Sequence, residues 1–345
     1  MEWRHNLVTG DSRMTFMGAA LTTESPDSYS LWMCGADNLT MRRLKFNGLG
    51  VTGSLSTEAD PWYDALLPHA GGYVLTSYRD GSALVTGHAP DHRELWRDFL
   101  PDADSPRWSL AEDATGKLHL LYGSCNPHDG YRQAHVAVVE PGGDKALRQV
   151  FTVPDEDYPQ AALLIAQPER LAVCVRNRGT ATVFYILGPD AEVIRNGAFA
   201  AHPHCRWCVP LCQTPLADGD ILMGGYREET PGRRRAWACR FDADLCALNG
   251  RVIAGEAEQA VTAFAPQPDG SVLALCPPWR IWRLSPKGLP THAWEMPPEE
   301  RRNTLTAMLA APGGGCFFTG RSFSRTSGAP AVLLGKLGLN EFTEL

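Results

Sequence analysis

The stretch VPLCQTPLADGDILMGGYREETPGRRRAWACRFDADLCALNGRVI, residues 209–253, holds one complete copy of a unit that recurs along the chain. It reads as an apolar run, a tight turn, a second run ending in a double glycine, a loop, a third run, a second turn and a fourth run. The next copy follows at 261–296 as VTAFAPQPDGSVLALCPPWRIWRLSPKGLPTHAWEM. The last is LTAMLAAPGGGCFFTGRS (305–322) with AVLLGKLGLNEFTEL (331–345). Self-similarity at a fixed period is the signature of repeat architectures and decides the fold before any local reading does.

The first turn of each copy falls near Asp27, Gly71, Gly116, Glu169, Gly219, Gly270 and Gly313, at intervals of 43 to 53 residues. A period of about 48 residues is that of a propeller blade. A second turn follows in each copy, at Asn47-Gly48, Asp80-Gly81, Gly142-Gly143, Pro189-Asp190, Asp242-Ala243-Asp244, Lys287-Gly288 and Leu337-Gly338. Asp-Gly and Gly-Gly supply the positive φ of tight hairpins. The runs are short, rich in Val, Leu, Phe, Tyr and Trp, and cut by Gly and Pro too often for amphipathic helices.

The expected fold is therefore all-β: a single β-propeller domain over residues 1–345, with seven four-stranded blades. Their approximate limits are 10–58, 59–104, 105–154, 155–201, 202–255, 256–298 and 299–345. A pair of β-sandwiches is the rival, and it does not explain the even spacing. Two closures of the last blade are open: residues 1–9 add its outer strand, or Phe342-Thr343-Glu344-Leu345 closes it unaided.

Asp218-Gly219-Asp220-Ile221-Leu222-Met223-Gly224-Gly225-Tyr226, with Trp237 eleven residues on, resembles a kelch-type blade. Asp269-Gly270-Ser271-Val272-Leu273-Ala274-Leu275 is similar to the looser hairpins of bacterial propeller repeats. Ser25-Pro26-Asp27-Ser28-Tyr29-Ser30-Leu31-Trp32 resembles the aspartate box of sialidases, with Tyr29 where that box carries Gly. These resemblances imply architecture, not activity.

Of the 345 residues, 44% are hydrophobic and 21% charged, and the net charge is −7. No basic surplus is present to attract a phosphate backbone, so nucleic acid is excluded as a partner. The amino terminus lacks the charged start and apolar stretch of a secretory signal, and no apolar run reaches the ~20 residues of a bilayer span. Membrane association is not expected. Most of the ten cysteines sit inside apolar runs, where reduced thiols act as small hydrophobes. The protein reads as cytoplasmic.

First and third connections of a four-stranded blade lie on one face; second connections and interblade links lie on the other. The first set reads as tight turns and the second as longer and chemically richer, including 124–133, 227–235 and 320–330. The links carry Trp62, Tyr63, Asp64, Arg107, Trp108, Asp157, Tyr158, His204, Arg206, Trp207, Glu258 and Arg302; Arg234 lies in the loop 227–235. Loops on a rigid scaffold concentrate binding function, and Trp, Tyr and Arg dominate interface energies. These residues are the candidate binding set, against the plainer reading in which an aromatic merely plugs the space between blades.

His202, His204, Cys205 and Cys208 have the ligand types of a zinc site, but no second paired set is evident, and no metal is assigned. Asp64, Asp157 and Glu258 could perform acid–base work in a central funnel, the alternative being a glycoside hydrolase or lactonase with Trp62, Trp108 or Trp207 stacked on a sugar. No nucleophile elbow or phosphate-binding loop is present and no cofactor is expected. Arg233-Arg234-Arg235 suits an acidic partner. The favoured function is a non-catalytic propeller that binds a protein through its ornate rim, such as a bacterial toxin-immunity or adaptor protein. A lectin is a further alternative, with a small-molecule or sugar ligand.

Overall fold

The computed structural model describes residues 3–8, 18–25, 28–34, 40–47, 50–58, 63–69, 72–79, 82–89, 93–100, 109–113, 115–125, 132–140, 147–154, 159–167, 169–177, 182–198, 208–230, 233–252, 260–301, 303–323 and 330–344. The chain divides into two compact units, Met1–Ala59 with Leu211–Leu345, and Asp60–Pro210.

In the first unit, β1 (Trp3–Val8) precedes a sheet of β2 (Gly18–Ser25), β3 (Ser28–Cys34), β4 (Thr40–Asn47) and β5 (Gly50–Glu58). The second unit holds three sheets. These are β6 (Tyr63–His69), β7 (Gly72–Arg79), β8 (Ser82–His88) and β9 (Glu94–Leu100); β10 (Ser109–Glu112), β11 (Leu118–Cys125), β12 (Arg132–Val139) and β13 (Leu147–Thr152); and β14 (Pro159–Gln167), β15 (Arg170–Asn177), β16 (Thr182–Leu187) and β17 (Val193–Ala198). Next come β18 (Cys208–Pro215), β19 (Ile221–Thr230), β20 (Arg233–Phe241) and β21 (Ala247–Val252), and then β22 (Ala263–Pro266), β23 (Val272–Cys276), β24 (Arg280–Leu284) and β25 (Pro290–Glu295). The chain ends with β26 (Thr304–Ala310), β27 (Cys316–Phe323), β28 (Pro330–Leu337) and β29 (Thr343–Glu344). Apart from the two sheets that take a strand from a chain end, each sheet follows chain order.

Both chain ends find a sheet. β1 pairs antiparallel with β28, Trp3 opposite Lys336 through Val8 opposite Ala331, and so completes the sheet of β26–β28. The carboxyl-terminal strand β29 joins β25 instead, His292 opposite Glu344, which makes that sheet five-stranded. Of the two closures open to the sequence, the amino-terminal one is realised, and the uniform four-strand count fails at β22–β25.

Consecutive sheets share apolar cores. On β11, Leu118, Leu120 and Tyr122 join Val74 and Val85 of the preceding sheet, while Leu121 joins Leu164, Val173 and Tyr185 of the following one. Burial on both faces explains why the runs read as nearly continuous apolar segments rather than as alternation. Each fully buried large side chain contributes about 1.5–3 kcal/mol. The double glycine of β19 has the same cause: a Cβ on Gly224 would lie 2.7 Å from Phe264 and Val261 of the adjoining segment.

The turns repeat too. Residues 113–117, 188–192, 216–220, 242–246, 267–271, 285–289 and 311–315 share one hydrogen-bond pattern: the first N–H donates to the fifth carbonyl and the fourth N–H to the first. The fourth residue has positive φ in every case, including Ala191 (60°) and Leu245 (57°) where no glycine signals it. This is a three-residue hairpin loop closed by a left-handed residue. A second repeat lies on the fourth strand of six sheets. The register slips by one residue in β5, β9, β13, β17, β21 and β25, passing over Thr52, Leu95, Val150, Ile194, Leu248 and Thr291. Bulges of this kind twist an exposed edge away from unwanted pairing.

Candidate functional site

Most of the predicted rim lies outside the described residues: Trp62, Arg107, Trp108, Asp157, Tyr158, His202, His204, Cys205, Arg206, Trp207, Glu258 and Arg302. Tyr63 begins β6, and the pairing with β7 passes over Asp64 at a register slip between Tyr63 and Ala65. Arg234 lies in β20.

The expected contrast between tight and long connections holds only in part. Asp80-Gly81 joins β7 to β8, so it is a second connection and it is tight, with Arg79 opposite Ser82. The third connection of that sheet spans Ala89–Arg93 instead. Residues 227–235, read as a long loop, are mostly strand: Arg227 faces Arg235, Glu228 faces Arg234 and Thr230 faces Arg233. Only Pro231 and Gly232 lie between β19 and β20. The Pro-Gly pair signals this turn; the charged flanks disguised the strands.

Among the described residues β21 pairs with β20 from Trp237 to Phe241, and the β19–β20 ladder runs on from Tyr226–Ala236 to Thr230–Arg233. Four arginines and two glutamates occupy residues 227–235. The Arg234 guanidinium sits 4.3 Å from the ring centroid of buried Tyr226, a cation–π contact that holds one of these charges against the hairpin's own first strand.

Within the second unit, where first and third connections turn, a cavity of 550 Å³ opens between two adjacent sheets. The 113–117 turn, His119, Val138 and Arg148–Val150 line one side; Gln167–Leu171 and the 187–191 turn line the other. The sequence reading missed this site because it assigned the short-turn end no role.

Asp113 organises one wall. Its Oδ1 accepts from the Thr115 N–H (2.9 Å), the Thr115 hydroxyl (2.6 Å) and the Lys117 N–H (3.0 Å), and Oδ2 accepts from His119 Nε2 at 2.8 Å. Burial alone would raise this carboxyl; the hydrogen bonds of Thr115, His119 and Lys117 outweigh it and hold the group well below the usual carboxylate range. An ionised Asp113 only accepts, so His119 Nε2 is the donor of their bond. The other ring nitrogen, Nδ1, is buried with no partner among the described residues. The Gln167 side chain, 8% exposed, likewise has neither Nε2 nor Oε1 bonded. Arg148 pairs with Glu140 at 2.8 Å on the rim, which lowers the Glu140 carboxyl.

Elsewhere the ionisable groups serve structure. Burial lowers the proton affinity of His135, which sits between the hydroxyls of Ser124 (2.7 Å) and Thr152 (3.0 Å). Burial pushes the Cys174 and Cys276 thiols up to about 12 and raises Cys212 and Cys316 as well. Among the described residues Cys174, Cys239, Cys276 and Cys316 are the buried reduced thiols that the sequence implied. Cys208 is not: its sulfur is in a disulfide, so it is no thiolate ligand for a metal. Among the described residues no group of three or more His, Cys, Asp or Glu is placed to hold a metal ion. Nor is any helix long and apolar enough to cross a membrane.

No protein-family model and no curated protein matches the chain. Solved structures do. The Pan2 WD40 domain of Neurospora crassa superposes with a TM-score of 0.57 at 15% identity, covering 96% of this chain and 92% of that one. The AfRom2 CNH domain gives 0.50 at 10% identity, over 97% and 99%. A prolyl endopeptidase gives 0.60 at 11% identity over 96% of this chain, which spans 50% of the peptidase chain. At these identities the likeness shows the fold alone. The chain is an all-β propeller.

Proposed function

We propose that this protein is a non-catalytic binding propeller that docks an acidic protein partner through second connections of its sheets. The observation that carries the reading is the β19–β20 hairpin, whose paired strands reach Thr230–Arg233 and carry four arginines in the nine residues 227–235. Arginine on a preorganised backbone suits bidentate contact with carboxylates. The links between sheets supply further contact candidates in this proposal: Trp62, Tyr63, Asp64, Arg107, Trp108, Asp157, Tyr158, His204, Arg206, Trp207, Glu258 and Arg302. Against catalysis stand the proton affinities. Asp113 is held ionised with its oxygens engaged, and the shifted thiols are held protonated, so none of these groups is poised to exchange a proton near neutral pH. Among roles open to such a docking protein, that of a cytoplasmic adaptor or bacterial toxin-immunity protein is the one we favour.

The test uses the immobilised full chain and an extract of the cells that make it, beside an Arg233→Glu/Arg235→Glu variant. The reading expects one acidic polypeptide, retained in near-stoichiometric amount, released by salt and lost at least about tenfold by the variant, as charge-steered interfaces behave. Retention that the charge reversal and salt leave unchanged overturns the β19–β20 hairpin as the docking element. Turnover of a sugar or lactone by the purified chain overturns the non-catalytic reading.

A further inference from the structure

We infer that the cross-strand pair Arg227–Arg235 of the β19–β20 hairpin is a binding site for a phosphate dianion, presented as a phosphorylated side chain of the docked partner. The site rests on the hairpin being the docking element and names the group that this element grips.

The register sets the two arginines against each other. Tyr226 pairs with Ala236, Arg227 with Arg235 and Glu228 with Arg234. Successive pairs present their side chains to opposite faces of a ladder. One face therefore carries Tyr226, Glu228 and Arg234, with the Arg234 guanidinium 4.3 Å from the Tyr226 ring centroid. There, opposite charges meet across the strands, which is the arrangement that stabilises a sheet. The other face carries Arg227 and Arg235, and its next pair away from the turn, Gly225 with Trp237, brings no charge. Like charges directly opposite each other destabilise a ladder. An anion held between them turns that repulsion into attraction.

Distance and chemistry narrow the class. Residues directly opposite in an antiparallel pair have Cβ atoms about 4.5–5.5 Å apart, so two guanidinium groups reach one ligand group between them. Arg227 and Arg235 are each half-buried, partly desolvated by the fold and still open to a ligand. A guanidinium carries five N–H donors, so a contact made inside the chain leaves donors over. A carboxylate brings one charge and two oxygens, which a single fork satisfies bidentately. A phosphate monoester brings a charge of about −1.5 to −2 and three terminal oxygens, and so answers two forks and two positive charges at once. Planar forks match that oxygen geometry where two lysines would supply charge alone.

Backbone amide spectra of the full isotope-labelled chain test the site. They are followed while a phosphoserine peptide (Ac-Ala-pSer-Ala-NHMe), a diglutamate peptide (Ac-Ala-Glu-Glu-Ala-NHMe) or inorganic phosphate is added to about 50 mM, a range that reaches weak binding. Saturable shifts at Gly225, Arg227, Arg235 and Trp237 are expected with the phosphoserine peptide. It should bind at least about tenfold more tightly than the diglutamate peptide, which carries its two charges on separate carboxylates, and more tightly than inorganic phosphate. Arg227→Lys/Arg235→Lys keeps both charges and removes both forks, and should abolish the preference for phosphoserine over diglutamate. Three outcomes on the wild-type chain overturn the assignment, whatever the variant's fold. They are no saturable shift with the phosphoserine peptide, an equal response to the diglutamate peptide, and inorganic phosphate bound as tightly as the phosphopeptide. The docking reading is decided separately, by retention of an acidic polypeptide from the extract. A polypeptide still retained after phosphatase treatment overturns the phosphate site and leaves the docking element standing.

Discussion

Two glutamines stand at the same place in two sheets, each just before a proline at the end of an inner strand, and they meet opposite fates. Gln267 follows β22 and is 6% exposed. Its Nε2 donates to the carbonyls of Ala265 (2.9 Å) and Gly315 (3.1 Å), and the Gly315 N–H donates to its Oε1 at 2.7 Å. The side chain thus stitches one sheet to the first turn of the next. Gln167 ends β14, is nearly as buried, and makes none of these bonds among the described residues. One residue of turn separates the cases. Pro268-Asp269-Gly270 bridges Gln267 to Ser271 in a three-residue loop, whereas Pro168-Glu169 brings Gln167 directly opposite Arg170. The difference teaches that a repeat can keep its residues and still change their work: a seam in one unit is a cavity in the other.

The largest effect should come from the seam's backbone. Gly315 has φ +90° and a Cβ there would lie 2.0 Å from the Leu337 carbonyl oxygen, so Gly315→Ala is expected to cost about 3 kcal/mol or more in chemical denaturation. A cost under about 1 kcal/mol would mean that the turn has room to shift and that the stitch is not fixed by this close approach.

The glutamines themselves give the next. Gln267→Leu removes three hydrogen bonds and strands the buried Gly315 N–H, a loss of about 2–3 kcal/mol, while Gln167→Leu should lie within about 0.5 kcal/mol of wild type or above it. Equal losses would erase the contrast.

A smaller effect concerns the cavity wall. Because the folded state holds the Asp113 carboxyl below its ordinary range, its contribution is present above the unfolded pKa near 4 and is lost as pH falls toward the folded one. Asp113→Asn should cost about 1 kcal/mol at pH 7 and flatten the acid limb of the stability profile between about pH 5 and 2. An unchanged acid limb would show that other carboxylates dominate it.

The fold was legible because its signals are local. Five predicted first-turn positions, Gly116, Glu169, Gly219, Gly270 and Gly313, all carry positive φ, at glycines or after a proline. Ala191 and Leu245 adopt the same conformation without a marker, since the surrounding hydrogen bonds impose it. The strand ends were harder: the charges of 227–235 look like loop although the pairing runs through them, and β29 is too short to announce its partner. The site was least legible. No pattern in Ala-Gln-Pro-Glu-Arg says whether Gln167 will find a mate; that depends on a neighbouring sheet far along the sequence.

The side-chain amide protons of the two glutamines report on the central contrast directly. In hydrogen-exchange spectra of the intact chain, Gln267 should show protected NH₂ protons and Gln167 should exchange at least about tenfold faster, since a bonded buried amide opens only with its surroundings. Equal protection at both positions would contradict the account, for it would mean that Gln167 already has its partner.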